Sequence, residues 1–157
     1  MLESILESFQ SRNVLVTGGT GLIGRQIVRM LCEAGSRVKS VSLDRLTVHP
    51  AAEHIYGDLS EFGFCKTITQ DMDYVFHVAG VKGSIEVTKS KPASFFVPLL
   101  MMNTNMLEAC RLNKVRKVVY TSSIGAYPNA ETFKEILDDD YSHPPMDFAG
   151  WAKRMAE

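Results

Sequence analysis

The chain of 157 residues has a formal net charge of −1 and is 45% hydrophobic and 22% charged, a composition typical of a globular protein with one domain's worth of core. The near-neutral charge, without a run of basic residues, argues against nucleic acid as a partner, and no apolar stretch reaches the roughly 20 residues that span a bilayer. The odd number of cysteines, without metal-ligand spacing, predicts reduced thiols in a cytoplasmic protein and no metal site: Cys32, Cys65 and Cys110.

The N-terminal residues 1–12 contain an apolar repeat with helical spacing, at Leu2, Ile5, Leu6 and Phe9. Residues spaced i, i+3, i+4 and i+7 lie on one face of a helix, so the pattern predicts a short amphipathic helix. We expect this helix to dock on the fold. A contact with a partner or a second copy is the alternative.

From residue 13 onward, short apolar segments alternate with segments of helical periodicity. Strands are predicted at 14–17, 38–43, 55–56, 74–78 and 117–121, and helices at 22–34, 59–69, 92–112 and 148–157. Residues 82–91 and 128–145 are predicted loops, the second with a solvated acidic run at Asp138–Asp140, and Pro98 is expected to kink or delay its helix. The alternation predicts one α/β domain over residues 13–157, a three-layer sandwich with a doubly wound parallel sheet.

The segment TGGTGLIG at residues 17–24 joins the first predicted strand to the first predicted helix. In this setting one of Gly18, Gly21 and Gly24 permits a tight turn, another lets the backbone approach a pyrophosphate, and the third lets helix and sheet pack closely. The N–H groups at the helix start, at Leu22 and Ile23, would then face the phosphates. The pattern predicts a Rossmann-type dinucleotide site; a glycine-rich turn without a ligand is the alternative.

Asp44 follows the second predicted strand, twenty positions after Gly24. A carboxylate there accepts hydrogen bonds from the adenosine ribose hydroxyls and repels a 2′-phosphate, which favours NAD over NADP. NADP remains an option because the adjacent Arg45 offsets that repulsion. The alternative is that Asp44 is simply a solvated acid at the end of a strand.

Five further segments, in order, resemble the extended short-chain dehydrogenase/reductase family of the NAD-dependent epimerase/dehydratase type. They are GDL at 57–59, HVAG at 77–80, NMLEA at 105–109, YTSS at 120–123, and WAK at 151–153 with Glu157. The resemblance implies NAD(P) as cofactor and a nucleotide sugar as substrate. It also implies the remaining cofactor contacts, which are Asp58 and Leu59 at the adenine, the backbone of Ala79 and Gly80, Ser122 on the cofactor side and Lys153 at the nicotinamide ribose.

The resemblance further implies a catalytic set of serine, tyrosine and lysine, of which this chain has Ser123 and Lys153. The serine holds the substrate oxygen, and the lysine ammonium lowers the pKa of a tyrosine four residues before it. Ala149 occupies that tyrosine position. The tyrosine was engineered away, or another acid such as Tyr127 or Tyr141 replaces it, or the protein binds its ligands without turnover.

The family resemblance implies a longer fold than these residues provide. The chain stops at Glu157, four residues after Lys153, where the family continues into a smaller substrate domain. We therefore expect the cofactor-binding portion of an NAD(P)-dependent nucleotide-sugar epimerase or reductase, without its C-terminal substrate domain. A catalytically silent dinucleotide-binding sensor or scaffold is the alternative. The long helix from about Asn103 favours a homodimer contact through Leu99, Met102 and Met106, or equally burial of that face within one chain.

Overall fold

The computed structural model describes residues 2–81, 83–128 and 143–157. The strands are β1 Asn13–Thr17, β2 Arg37–Ser42, β3 Glu53–Tyr56, β4 Tyr74–His77 and β5 Lys117–Tyr120. The helices are α1 Leu2–Glu7, α2 Leu22–Glu33, α3 Phe62–Ile68, α4 Ile85–Ser90, α5 Ala93–Leu112 and α6 Phe148–Arg154, with a 3₁₀ turn at Ile124–Ala126.

The five strands form one sheet in the order β3-β2-β1-β4-β5, and every pair of neighbours is parallel. The chain runs outward from β1 to β3 and then returns to the other side of β1, so the strand order reverses between β1 and β4. Ligands of such sheets bind at this reversal, beyond the carboxyl ends of the strands. The predicted Rossmann-type parallel sheet with flanking helices is confirmed.

The chain divides into two compact units. Residues 1–79 with 106–120 form the sheet unit, and residues 80–105 with 121–157 form the lysine unit. In the sheet unit the core is built by β1, α2 and β2, with five buried aliphatic residues: Val14, Val16, Val28, Leu31 and Val38. Phe9 packs against this cluster, and its ring meets the ring of Tyr74 edge-on at a centroid distance of 5.1 Å.

The lysine unit has its own apolar cluster, in which the buried residues are Phe95, Leu99 and Ala152. The buried amide of Asn103 donates a hydrogen bond from Nδ2 to the Ala152 carbonyl oxygen at 3.3 Å, which ties α5 to α6. The sequence left two explanations for the apolar Leu99, a homodimer contact or burial within one chain. Because Leu99 is only 2% exposed, burial within one chain explains this residue.

The helix α4 contradicts the predicted loop at 82–91. Its cap is Ser84, whose hydroxyl oxygen accepts a hydrogen bond from the Val87 N–H at 3.3 Å, and Glu86 lies in its first turn. Both features stabilise the N-terminus of a helix. They outweigh the polar composition on which the loop prediction rested.

Two other predictions concern the residue at which a helix begins. The helix expected from residue 59 begins at Phe62 because the Asp58 carboxylate accepts the Ser60 N–H at 2.9 Å and forms a turn first. The helix α5 begins at Ala93, so Pro98 does not delay its start. The acidic run at Asp138–Asp140 lies outside the described residues. Among the helices that the structure describes, none has the length and apolar character needed to cross a bilayer.

Candidate functional site

The turn between β1 and α2 depends on a glycine at its first position. Gly18 has a φ of +67°, a conformation that side chains disfavour. A Cβ on Gly18 would lie 2.8 Å from the Ala79 Cα, just beyond the end of β4. Both constraints require glycine at this position, and they bring the turn against the β4 end where the sheet order reverses.

The last glycine of the motif lets the helix pack on the turn. Gly24 is buried in the first turn of α2. A Cβ there would collide with the carbonyl group of Gly18 and would lie 2.9 Å from the Gly19 Cα. The close approach of α2 to the turn therefore needs hydrogen at position 24.

The middle glycine is not required by its backbone. Gly21 has φ −70° and ψ 172°, which any residue adopts, and a Cβ would meet only the Gly18 carbonyl oxygen at 3.1 Å. Gly21 caps α2 without a side-chain hydrogen bond, and the first N–H groups of an α-helix have no acceptor inside it. The missing side chain thus leaves space in front of the amides of Leu22 and Ile23. This cradle fits a pyrophosphate.

Asp44 lies exposed after β2 and is held by the glycine turn. The Thr20 hydroxyl donates a hydrogen bond to the Asp44 carboxylate, with 2.9 Å between Oγ1 and Oδ2. The Arg25 guanidinium donates to the Thr20 carbonyl oxygen at 2.8 Å. Sequence reasoning missed Thr20 and Arg25. The one available signal was a hydroxyl side chain placed between the motif's glycines.

Arg45, the cation next to Asp44, has a partner of its own. Its guanidinium carbon lies 4.9 Å from the centroid of the Tyr56 ring, at the end of β3. A cation over the face of an aromatic ring is held there by the ring's quadrupole. Beyond β3, Asp58 is exposed and Leu59 is buried, and the Cys65 thiol donates to the Leu59 carbonyl oxygen at 3.2 Å.

The ends of β1 and β4 are joined by the buried Thr17. Its Oγ1 lies 2.7 Å from Nδ1 of His77 and accepts the Ala79 N–H at 3.3 Å. His77 is fully buried, and its ring stacks on Tyr120 at a centroid distance of 5.7 Å. These contacts fix the backbone against which Gly18 packs. Gly80, the next residue, belongs to the lysine unit, and open space surrounds the position of its missing Cβ.

The lysine unit brings Lys153 and Ser122 near one carboxylate. The Lys153 ammonium donates from Nζ to the Thr121 carbonyl oxygen at 2.7 Å. The Ser122 hydroxyl donates to the Glu157 carboxylate. Burial lowers the pKa of Lys153 below its ordinary value of 10.5, and the negative charge of Glu157 opposes that shift. Sequence reasoning recognised Glu157 only as part of a motif.

Ser123 faces solvent at the start of the 3₁₀ turn, where its side-chain oxygen accepts the Gly125 N–H at 3.2 Å. The hydroxyl hydrogen of Ser123 is not used in that bond. Ser123 and Lys153 belong to the lysine unit, whereas the glycine turn and Asp44 belong to the sheet unit.

Position 149, where a tyrosine was expected, lies at the start of α6. The cap of this helix is Asp147, whose Oδ1 accepts the Gly150 N–H at 2.7 Å. Ala149 is half-buried and packs against the apolar cluster of the lysine unit. Phe148 is 56% exposed, and its ring meets Phe96 edge-on at 6.2 Å. Tyr141, a candidate replacement acid, lies outside the described residues.

Two of the three cysteines, Cys65 and Cys110, are buried, whereas Cys32 is partly buried. Burial raises the pKa of Cys65 to about 11 and that of Cys110 to about 12, so both are protonated near neutral pH. In the part of the chain that the structure describes, no group of three or more His, Cys, Asp or Glu side chains is arranged to hold a metal ion.

Comparisons with known proteins fit this arrangement. A model of the NAD dependent epimerase/dehydratase family matches residues 14–157. The 3 beta-hydroxysteroid dehydrogenase/Delta 5→4-isomerase of Mycobacterium tuberculosis is 33% identical over 117 residues, which are 70% of this chain and 31% of that protein.

Solved structures of similar fold include UDP-glucose 4-epimerase from Thermotoga maritima, determined with UDP-glucose. Its TM-score is 0.77 at 26% identity, over 92% of this chain and 48% of that one. MoeE5 in complex with UDP-glucose and NAD has a TM-score of 0.78 at 26% identity, over 92% of this chain and 46% of that one. The chain spans about a third of the steroid dehydrogenase and less than half of each of these two structures.

Proposed function

We propose, from the premise that this chain belongs to the NAD dependent epimerase/dehydratase family, that it is the cofactor-binding portion of an NAD(P)-dependent nucleotide-sugar epimerase or reductase. The observation that carries the proposal is the turn at Gly21. Its φ and ψ are open to any residue, and a Cβ there would lie 3.1 Å from the Gly18 carbonyl oxygen. We infer that a longer side chain at this position would take up the space before the first amides of α2.

In this proposal the cofactor lies along the carboxyl ends of the strands. The Leu22 and Ile23 amides bind its pyrophosphate, in space left by Gly18, Gly21 and Gly24, and Asp44 binds the adenosine ribose. Asp58 and Leu59 contact the adenine. The remaining contacts come from Ala79, Gly80, Ser122 and Lys153. The preferred cofactor is NAD, because Asp44 repels a 2′-phosphate while Arg45 is engaged by Tyr56.

The nicotinamide, when bound, supplies a hydride acceptor or donor. We propose that Ser123 holds a substrate oxygen through its hydroxyl hydrogen and that Lys153 contacts the nicotinamide ribose. A nucleotide sugar is the proposed substrate because two solved structures of similar fold were determined with UDP-glucose. The cytoplasmic location and the homodimer remain predictions.

The experiment is a calorimetric titration of NAD and NADP into the unaltered chain, Gly21→Val and Gly63→Ala. Gly63 lies in α3 and has open space around the position of its missing Cβ, so it serves as a matched glycine control. We expect Gly21→Val to weaken NAD binding by about tenfold or more, because its side chain occupies the space of the phosphates. Unchanged affinity in a folded Gly21→Val variant would remove the pyrophosphate argument. No binding of either cofactor by the unaltered chain would overturn the proposal.

A second candidate function is dinucleotide binding without turnover, as a sensor or scaffold. The observation that favours it is Ala149, which places a methyl group four residues before Lys153 where the family chemistry requires a phenol. The two candidate functions predict the same cofactor binding. They differ only in whether a tyrosine hydroxyl introduced at position 149 produces turnover.

A further inference from the structure

Thr20 has a side chain that the glycine motif alone does not explain. The residue is 8% exposed and lies between Gly19 and Gly21, where the proposed pyrophosphate cradle needs only small residues. Its hydroxyl points to the end of β2 and donates to Asp44 Oδ2 at 2.9 Å. Thr20 therefore joins the phosphate turn to the carboxylate proposed for the adenosine ribose.

The backbone of Thr20 is also fixed. The Arg25 guanidinium donates to the Thr20 carbonyl oxygen at 2.8 Å and, through Nε, to the Gly21 carbonyl oxygen at 3.2 Å. A hydroxyl on a held backbone orients its partner, whereas an exposed carboxylate without such a donor samples several rotamers. Thr20 thus restricts the directions in which Asp44 presents its charge.

We propose that Thr20 is a positioning residue of the adenosine-ribose site, whose hydroxyl fixes the Asp44 carboxylate and thereby sets the preference for NAD over NADP. The inference rests on the proposed function, since it assigns Thr20 a part in the same cofactor site. Nothing in the glycine spacing or in Asp44 alone requires a hydroxyl at position 20.

The selectivity follows from the hydrogen-bonding capacity of a carboxylate. An ionised carboxylate offers about four acceptor positions, and the Thr20 hydroxyl occupies one. The others are available to ribose hydroxyls without any further loss of side-chain rotamer freedom, which is the benefit of a preorganised site. A held carboxylate also cannot rotate away from a 2′-phosphate. The guanidinium of the neighbouring Arg45 lies over the Tyr56 ring, and this contact does not direct it toward the 2′-phosphate.

The test is a calorimetric titration of three ligands: NAD, NADP and an NAD analogue that lacks the adenosine 2′-hydroxyl. The variants are Thr20→Val, which removes the donor at nearly constant shape, and Thr20→Ser, which keeps it. Thr67→Val is the control, because the Thr67 hydroxyl is exposed and bonds only within the α3 region, to the Gly63 carbonyl oxygen at 3.0 Å. Thr20→Ala removes the same hydroxyl without added bulk and replaces Thr20→Val if thermal unfolding shows that valine disrupts the fold.

We expect Thr20→Val to weaken NAD binding by about three- to tenfold and to leave NADP binding unchanged or stronger, since the released carboxylate can rotate away from the 2′-phosphate, so that the ratio of the two affinities falls. The analogue should show a smaller loss than NAD, and Thr20→Ser should retain the original ratio. An unchanged ratio in Thr20→Val, or an equal loss for all three ligands, would overturn the inference and leave the Gly21 result intact. If the unaltered chain binds neither NAD nor NADP, the proposed function and this inference fail together.

Discussion

Lys153 has an ammonium group in surroundings that disfavour its charge. Burial lowers its pKa below 10.5, while the Glu157 carboxylate opposes the shift and the Thr121 carbonyl accepts a hydrogen bond at 2.7 Å. A lysine with a lowered pKa binds its proton less tightly in the folded chain than in the unfolded chain. Between the lowered value and 10.5 the unfolded chain therefore holds more protons, and stability rises with pH in that window.

The prediction concerns Lys153→Met, which has an apolar side chain of similar length and no titratable group. Relative to this variant, the unaltered chain should gain free energy of unfolding as pH rises through the window between the lowered pKa of Lys153 and 10.5. Below the lowered pKa the difference between the two proteins should be constant. Urea unfolding at several pH values, followed by circular dichroism, measures it. A difference that stays constant throughout, or that moves against the unaltered chain, would contradict the assigned effect of burial.

Single residues differ in how far their structural positions could be predicted. The need for glycine at Gly18 and Gly24 was predictable because a strand-turn-helix pattern brings backbone segments close together at those positions. In the structure a Cβ on Gly18 would meet the backbone of Ala79, and a Cβ on Gly24 would meet the backbone of the turn. Thr20 was not, because its bond to Asp44 joins residues 24 positions apart and depends on the register of β1 with β2. Sequence spacing contains no information about such a contact.

Among the elements, α6 and the 3₁₀ turn approach each other closely. Gly150 is buried, and a Cβ there would collide with the Gly125 carbonyl group and lie 3.1 Å from the Ala126 nitrogen. The same Gly125 carbonyl oxygen accepts the Met146 N–H at 3.1 Å, so it has little freedom to move. The helix that contains Lys153 is thus positioned by backbone contact.

We predict that Gly150→Ala lowers the free energy of unfolding by about 1–3 kcal/mol, because the added methyl group forces two backbone segments apart. Gly63→Ala, in the open surroundings of α3, should be neutral or stabilise the protein by up to about 1 kcal/mol, since alanine restricts the unfolded chain more than glycine does. In thermal unfolding, Gly150→Ala should therefore have a lower midpoint than the unaltered chain. The midpoint of Gly63→Ala should be equal to that of the unaltered chain or higher. Equal midpoints for the two variants would refute the packing argument.

Element boundaries depended on local hydrogen bonds that periodicity does not capture. The strands were predicted to within two residues of each end because each of them contains a short apolar run. The helix α4 was missed because its evidence is a cap, Ser84, followed by a polar helix with little apolar pattern. Capping residues at the start of polar segments would have been the signal.

For the whole molecule, alternating strands and helices were enough to predict a parallel, doubly wound sheet. The chirality of the crossovers limits the arrangements that such a chain can adopt. The division of the chain into a sheet unit and a lysine unit was not predicted. The single helix α5 contributes residues to both, so no linker in the sequence marks the division.

The two candidate functions for the whole molecule separate at position 149. A tyrosine there would lie one helical turn before Lys153 on the same face of α6, and a nearby ammonium favours ionisation of a phenol. If the protein is a catalyst that lacks only this group, Ala149→Tyr in a full-length chain that includes the substrate domain should, with NAD, convert a nucleotide sugar such as UDP-glucose, as followed by product chromatography and by nicotinamide absorbance. Ala149→Phe adds the same ring without the hydroxyl and should stay inactive.

Turnover by the phenylalanine variant would show that the hydroxyl is not the missing group. Inactivity of Ala149→Tyr on nucleotide sugars and on a 3β-hydroxysteroid, with NAD still bound, would favour the binding module.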